Sequence, residues 1–155
     1  PTAVERGVMT GYARSPVGAA LLTANYIGLG LEMGPVYADF MQRYAPDLVA
    51  EDPELLEELR ARGAATQGRA MQAAEGFQAP RWFRFSHCSP DFCTVEAAMP
   101  SVSEAVGQVD TIDVSATEHP VMRVSLSWTG EQWEIVSGRS LPPLEELDRS
   151  WVLWI

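Results

Sequence analysis

The sequence predicts an α+β fold, with N-terminal helices packed on a curved antiparallel sheet. From Val17 to Phe77, apolar residues recur at three- and four-residue spacing, the period of a helix. Beyond Ala79-Pro80 the period drops to two. The alternation is clearest over Val121–Trp128, where Met122, Val124, Leu126 and Trp128 alternate with Arg123, Ser125 and Ser127. No internal repeat or long linker divides the chain, so its 155 residues form one domain (1–155), long enough to bury about 70% of its unfolded surface. Its parts are an N-terminal arm (1–14), a helical part (15–78), a sheet (81–137) and a C-terminal tail (138–155).

Ser15 is positioned to cap the first helix, and Pro16 suits the first helical position, where a missing N–H is harmless. Val17, Ala20, Leu21, Ala24, Ile27 and Leu31 form its expected inner face, and Gly28-x-Gly30 frays its end. The small residues Gly18, Ala19 and Ala20 let a neighbouring element approach closely. Gly34-Pro35 starts a shorter helix with Val36, Phe40, Met41 and Tyr44 inward, closed by Pro46. Asp52-Pro53 repeats the cap-plus-proline signal for a third helix lined by Leu55, Leu56, Leu59, Thr66, Ala70, Ala73 and Phe77. Gly63 and Gly68 are the places where that helix would bend or break.

In the sheet, Arg81–His87 and Phe92–Met99 read as a hairpin around Ser89-Pro90-Asp91-Phe92. Regular pairing of Cys88 with Cys93 sets Phe83 and Phe85 on the side of Glu96, and Arg84 on the side of Val95 and Ala97. Either both faces are partly covered or the register differs. Val109–Ser115 is a third, weaker strand. Thr129-Gly130-Glu131-Gln132 turns Val121–Trp128 into Trp133–Val136, with Trp128 opposite Trp133 and Leu126 opposite Ile135.

Residues paired directly across a hairpin lie about 4.5–5.5 Å apart at Cα, within disulfide range. A Cys88–Cys93 bridge is therefore expected ahead of two reduced buried thiols. His87 and Asp91 are close by, but four ligands in one tight turn match no usual zinc spacing, and no metal is expected. A bridge implies an oxidising, extracytoplasmic compartment. The net charge of −10 repels nucleic acid and anionic lipid. Asp47, Glu51, Asp52, Glu54, Glu57 and Glu58 make one acidic block, and Glu145, Glu146 and Asp148 another; both read as solvated faces. All eleven basic residues are arginine, which with the alanine-rich helices fits a GC-rich genome. No internal run of about 18 apolar residues could span a membrane. The start at Pro1 rather than Met fits a processed or excised form with a signal or anchor upstream.

The segment Gly11-Tyr12-Ala13-Arg14-Ser15-Pro16-x-Gly18-Ala19, followed by an alanine-rich helix with Asn25, resembles the opening of a group of actinobacterial extracytoplasmic domains. Ser127-Trp128-x-Gly130-x-x-Trp133-x-Ile135 resembles their final hairpin. The resemblance implies a membrane-anchored protein of largely unknown function, following a single membrane-spanning helix. It also implies a likeness in outline to the periplasmic-type domains of conjugative-transfer and secretion-channel components, which have a nuclear-transport-factor-like (cystatin-like) cone. It supplies no catalytic residues. A plainer helix-on-sheet sandwich is the other architecture that fits the element order.

An enzyme of this fold would need acid–base groups inside the cone, and Asp110, Asp113, His119 and Arg123 are the candidates. The odd spacing of Asp110 and Asp113 points them to opposite faces of a regular strand, and His119 precedes Pro120 where a strand begins. No Ser-His-Asp, zinc, phosphate-loop or dinucleotide motif is present, and no cofactor is expected. Tyr12, Tyr26, Tyr37, Tyr44, Trp82, Trp128 and Trp133 suit a core better than a small-molecule pocket. The tail Trp151-Val152-Leu153-Trp154-Ile155 is expected to dock on its own domain; the alternative is a surface for a partner, with Trp151, Leu153, Trp154 and Ile155 as its candidate interface.

These readings lead to a non-enzymatic extracytoplasmic interaction domain, tethered to the membrane in a conjugation-like or secretion-like assembly. Its expected partners are other protein subunits, further copies of itself included, with no nucleic acid, and with membrane only through an upstream segment. The alternative is a small-molecule-binding protein or enzyme that uses the cavity of the cone, with Asp113, His119 and Arg123 as its pocket.

Overall fold

Two residues of positive φ, Arg6 (53°) and Gly7 (83°), turn the N-terminal arm into a hairpin. In the computed structural model, which describes residues 1–62, 80–101 and 118–154, its strands are Ala3–Glu5 (β1) and Val8–Thr10 (β2). The first helix, Pro16–Glu32 (α1), begins at the expected cap: Ser15 Oγ accepts from the Gly18 N–H at 3.2 Å. Of its expected inner face, Ala20 and Ile27 are buried and Leu21 and Ala24 pack against the core, but Val17 does not join them. Val17 is 52% exposed, whereas Ala19, Ala20, Leu22, Thr23 and Ile27 are buried. Gly18 sits against the Ala13 carbonyl with no room for a Cβ, which fixes how the first turn meets the chain before it. The helix passes through Gly28 and Gly30 without fraying. It ends at Met33, whose left-handed backbone donates to the Leu29 carbonyl at 3.2 Å.

Pro35–Tyr44 (α2) buries Tyr37, Ala38, Phe40, Met41 and Tyr44. Pro46 does more than close this helix, since it opens the short helix Pro46–Glu51 (α3), which the sequence pattern did not reveal. The helix Pro53–Ala61 (α4) starts where Asp52 Oδ1 accepts from the Leu55 N–H at 3.3 Å, and it buries Leu56 and Leu59. The expected continuation to Phe77, with its bends at Gly63 and Gly68, lies outside the described residues, as does the expected strand Val109–Ser115.

The helices pack on one face of a five-stranded antiparallel sheet. Its strands are Trp82–Cys88 (β3), Phe92–Ala98 (β4), His119–Trp128 (β5), Trp133–Leu144 (β6) and Val152–Leu153 (β7), in the order β6-β5-β4-β3-β7. A bulge resolves the mixed faces of the first hairpin. Cys88 pairs with Cys93 and His87 with Thr94, but one extra residue, Ser86, then shifts the register so that Phe85 meets Val95, Arg84 meets Glu96 and Phe83 meets Ala97. Phe83 thereby joins the helix-side core, and Arg84 joins Glu96 on the opposite face.

The last hairpin pairs Trp128 with Trp133 and Leu126 with Ile135. Its second strand runs far beyond the expected Val136, through Arg139 to Leu144, so much of the expected tail belongs to the sheet. Pro142 and Pro143 disguise this extension; they are tolerated because β6 is an edge strand among the described residues and pairing is irregular there. The main core joins Phe83, Val95, Val124, Leu126, Trp133 and Ile135 to Leu22, Phe40, Tyr44 and Leu59. A smaller cluster of Ala98, Val121 and Trp151, with Trp82, Leu141, Leu144 and Leu147 against it, covers part of the outer face.

Candidate functional site

The register places side chains in rows across the outer face. Arg84 of β3 lies beside Glu96 of β4, Glu96 beside Arg123 of β5, and Arg123 beside Arg139 of β6. One carboxylate therefore stands between two guanidiniums, with a third, that of Arg139, one strand further on. On one side is the apolar cluster around Trp151; on the other are Thr94, Ser125 and Ser137, also paired in register. Thr94 Oγ1 and Ser125 Oγ lie 3.3 Å apart.

Glu96 is only 1% exposed, and its two oxygens have different partners. Arg84 Nε donates to Oε2 at 2.7 Å, and Arg123 Nε donates to Oε1 at 2.8 Å; the Nη2 of each arginine reaches the same oxygen as its Nε. Burial alone would raise the Glu96 pKa. The hydrogen bonds from Arg123 and Arg84, and their charges, outweigh it and leave the carboxyl below its ordinary value. Held ionised with both oxygens engaged, Glu96 is suited to orient arginines rather than to exchange protons.

The segment before β7 completes this corner. The Arg84 guanidinium lies 4.7 Å from the Trp151 ring centroid, its Nη1 donates to Ser150 Oγ at 3.4 Å, and it stands 4.0 Å from the Asp148 carboxylate. Ser150, through its hydroxyl and backbone N–H, holds Asp148 below the usual carboxylate range. Trp151 is buried, whereas Val152 and Leu153 are exposed on β7. β7 pairs with β3 (Trp82 with Leu153, Phe83 with Val152), the Trp154 N–H donates to the Arg81 carbonyl at 2.6 Å, and its ring meets Phe83 edge-on. Ile155 lies outside the described residues.

The other residues singled out from the sequence are spread over the molecule. Cys88 and Cys93 are bridged, with Cα atoms 4.1 Å apart. His119 Nδ1 lies 3.0 Å from the Met99 carbonyl, and its ring meets Trp82 edge-on at 5.1 Å. Arg123 is committed to Glu96, so these two residues of the expected pocket have different partners. Asp110 and Asp113 lie outside the described residues. No group of three or more His, Cys, Asp or Glu among the described residues is placed to hold a metal. Tyr12, Tyr37, Tyr44 and Trp133 are buried, and Tyr26, Trp82 and Trp128 are half-buried.

Two clefts open elsewhere. One, of about 350 Å³, is charged and lies between the N-terminal hairpin and α2, where Arg43 donates to Glu5 at 2.6 Å. The other, of about 470 Å³, is mainly apolar and is lined by Tyr26, Tyr37, Met99, Met122, Ser140 and Leu141 among others. Burial raises the Tyr37 hydroxyl pKa well above its ordinary value, so it remains protonated at neutral pH.

The Arg84–Glu96–Arg123–Arg139 row was not singled out from the sequence. Its signal is a lone acid within the otherwise apolar run Val95-Glu96-Ala97-Ala98, with an arginine in each flanking strand. Placing Arg84 opposite it required the Ser86 bulge, and bringing Arg139 opposite Arg123 required an extra residue at Val136 and a β6 that runs on beyond it. Neither the curated proteins nor the solved structures give a match to this chain. The family model described as Domain of unknown function (DUF8175) matches residues 1–148, and the chain belongs to that family.

Proposed function

We propose that this chain is a protein-interaction domain that works outside the cytoplasm, within a membrane-tethered assembly of the conjugation or secretion kind, on a nuclear-transport-factor-like cone. The observation that carries this reading is the C-terminal edge of the sheet. β7 is held by β3 along one side and has no neighbouring strand on its other side among the described residues. Val152 and Leu153 are 58% and 51% exposed there. An open edge with exposed apolar side chains suits an extended segment of another subunit, which would add as a further strand. The Cys88–Cys93 bridge supports an oxidising compartment. The resemblances at Gly11–Ala19 and Ser127–Ile135 support an actinobacterial, membrane-anchored setting.

A photo-crosslinking residue placed at Leu153 of the full-length protein in its host cell tests the proposal. Adducts with one defined polypeptide are expected at 153 and not at the solvated Glu57. Equal labelling at both positions would remove the edge from consideration.

The apolar cleft favours a second reading, a binding site for a small, largely apolar molecule, because its volume lies in the ligand-pocket range of about 300–1,000 Å³. Filling it with Met122→Trp would abolish such binding and leave crosslinking at Leu153 intact.

A further inference from the structure

We infer that Arg123 and Arg139 form a recognition site for the carboxylate of an acidic side chain, presented by an extended segment of a partner protein. The inference rests on the interaction reading above and names the chemistry of the partner. Arg123 and Arg139 are directly opposed on β5 and β6. Like charges in that position destabilise a sheet unless an anion lies between them. Glu96 already serves both Arg84 and Arg123, through one oxygen each. Of the other described acids near this row, Asp148 stands by Arg84, and Glu134 accepts from the Gln132 side chain at 3.4 Å. Arg139 is exposed and has no acidic partner among the described residues. A carboxylate over Arg123 and Arg139 would continue the alternation of charge that Arg84, Glu96 and Arg123 begin, with guanidinium forks suited to it. Ser125 and Ser137, in the next row, offer hydroxyl donors beside it.

The shape of the surface selects the kind of ligand. The row lies on an open sheet face, whereas both clefts, the concave sites that small molecules favour, lie elsewhere. The chain carries a net charge of −10, so an acidic segment is repelled by most of the surface and must meet this strip in register.

Side-chain Nε–Hε signals of the arginines, followed by NMR on the full chain, provide the test, with hexaglutamate and hexaglutamine peptides as probes. Hexaglutamate is expected to shift the signals of Arg123 and Arg139 at low salt and to lose its effect at about 0.5 M salt. Arg139→Gln is expected to weaken the binding about tenfold, whereas Arg6→Gln in the charged cleft leaves it unchanged. Retained amide shifts along β5 and β6 would show that the variant is folded. No shift, or an equal shift with hexaglutamine, overturns the inference. Inorganic phosphate acting where the peptide fails would make this a small-oxyanion site and also overturn it. So would shifts that grow with protein concentration alone and vanish in a Glu57→Gln, Glu58→Gln variant, because the occupant would then be the acidic helix of a second copy. Failure here with crosslinking at Leu153 intact sinks this inference alone; failed crosslinking with peptide binding intact sinks the strand-edge reading.

Discussion

Arg14 ion-pairs with Asp91, 77 positions away in sequence, and so ties the start of the first helix to the disulfide turn. Its Nε also donates to the Pro90 carbonyl at 3.2 Å, and its guanidinium lies 5.9 Å from the Trp128 ring centroid. Trp133 Nε1 donates to the Ala13 carbonyl at 2.8 Å. The helix-opening motif and the tryptophan hairpin, distant in sequence, therefore meet at one end of the domain.

Replacing Arg14 by Ala should destabilise the domain by only about 1 kcal/mol, because an exposed ion pair and one cation–π contact each contribute less than that. Its side chain and that of Asp91 are 49% and 65% exposed, which weakens their attraction. A urea titration measures the loss, and a value above about 3 kcal/mol would show that the turn depends on Arg14 for its fold.

Reducing the Cys88–Cys93 bridge should cost about 2 kcal/mol, the chain-entropy value for so short a loop. The Ser89 N–H bonds the Phe92 carbonyl at 2.7 Å, a contact that does not depend on the sulfur atoms, so the hairpin should survive reduction. Intact-mass analysis establishes the redox state, and denaturant titration with and without reductant gives the difference. Two free thiols in natively secreted protein would remove the argument for an oxidising compartment.

The two tryptophans of the last hairpin should behave differently. Trp133 is 1% exposed, and Trp133→Ala should cost about 3–5 kcal/mol. Trp128 packs edge-on against it but is only half-buried beneath Arg14, so Trp128→Ala should cost about half as much. Equal losses in denaturant titrations would mean that Trp128 is more deeply enclosed in solution.

Acid should weaken the outer face through Glu96. Its folded pKa lies below the unfolded value, so its contribution is present above the ordinary glutamate range, about 4, and is lost as pH falls through the folded pKa. At neutral pH, Glu96→Gln should cost about 1–3 kcal/mol, since two partly exposed arginines lose their shared partner. Stability measured from pH 7 down to pH 3 should fall less steeply for Glu96→Gln than for the native protein; identical slopes would assign the acid sensitivity to other groups.

Removing residues 151–155 should lower the melting temperature of the monomer, because Trp151 caps the outer cluster and Trp154 meets Phe83. A loss of about 2–4 kcal/mol corresponds to roughly 4–16 °C for a domain of this size. Differential scanning calorimetry at two protein concentrations separates this effect from loss of self-association.

The sequence was most legible where local chemistry decides the structure. The Ser15 and Asp52 caps, the prolines after them, and the pairings Cys88–Cys93 and Trp128–Trp133 all follow from neighbouring residues. It was least legible where distant contacts decide. Apolar spacing found most of the inner face of α1 but also placed Val17 inside, which is exposed at the first turn where Gly18 meets Ala13. The charged row required extra residues at Ser86 and Val136, both contrary to regular pairing, and a strand that continues past Val136. Helix α3 is too short for its period to register against neighbours that begin with the same proline signal.

The irregular strand β6 has a consequence for how copies of this domain can meet. Its extra residue at Val136, its exposed Arg139 and the imino nitrogens of Pro142 and Pro143 spoil that margin as a template for further pairing. The opposite margin is a strand of only two residues. Among the described residues, the sheet therefore has one border unsuited to further pairing and one border of two residues, and neither offers a long regular template. Both features disfavour the border-to-border pairing on which fibre growth depends.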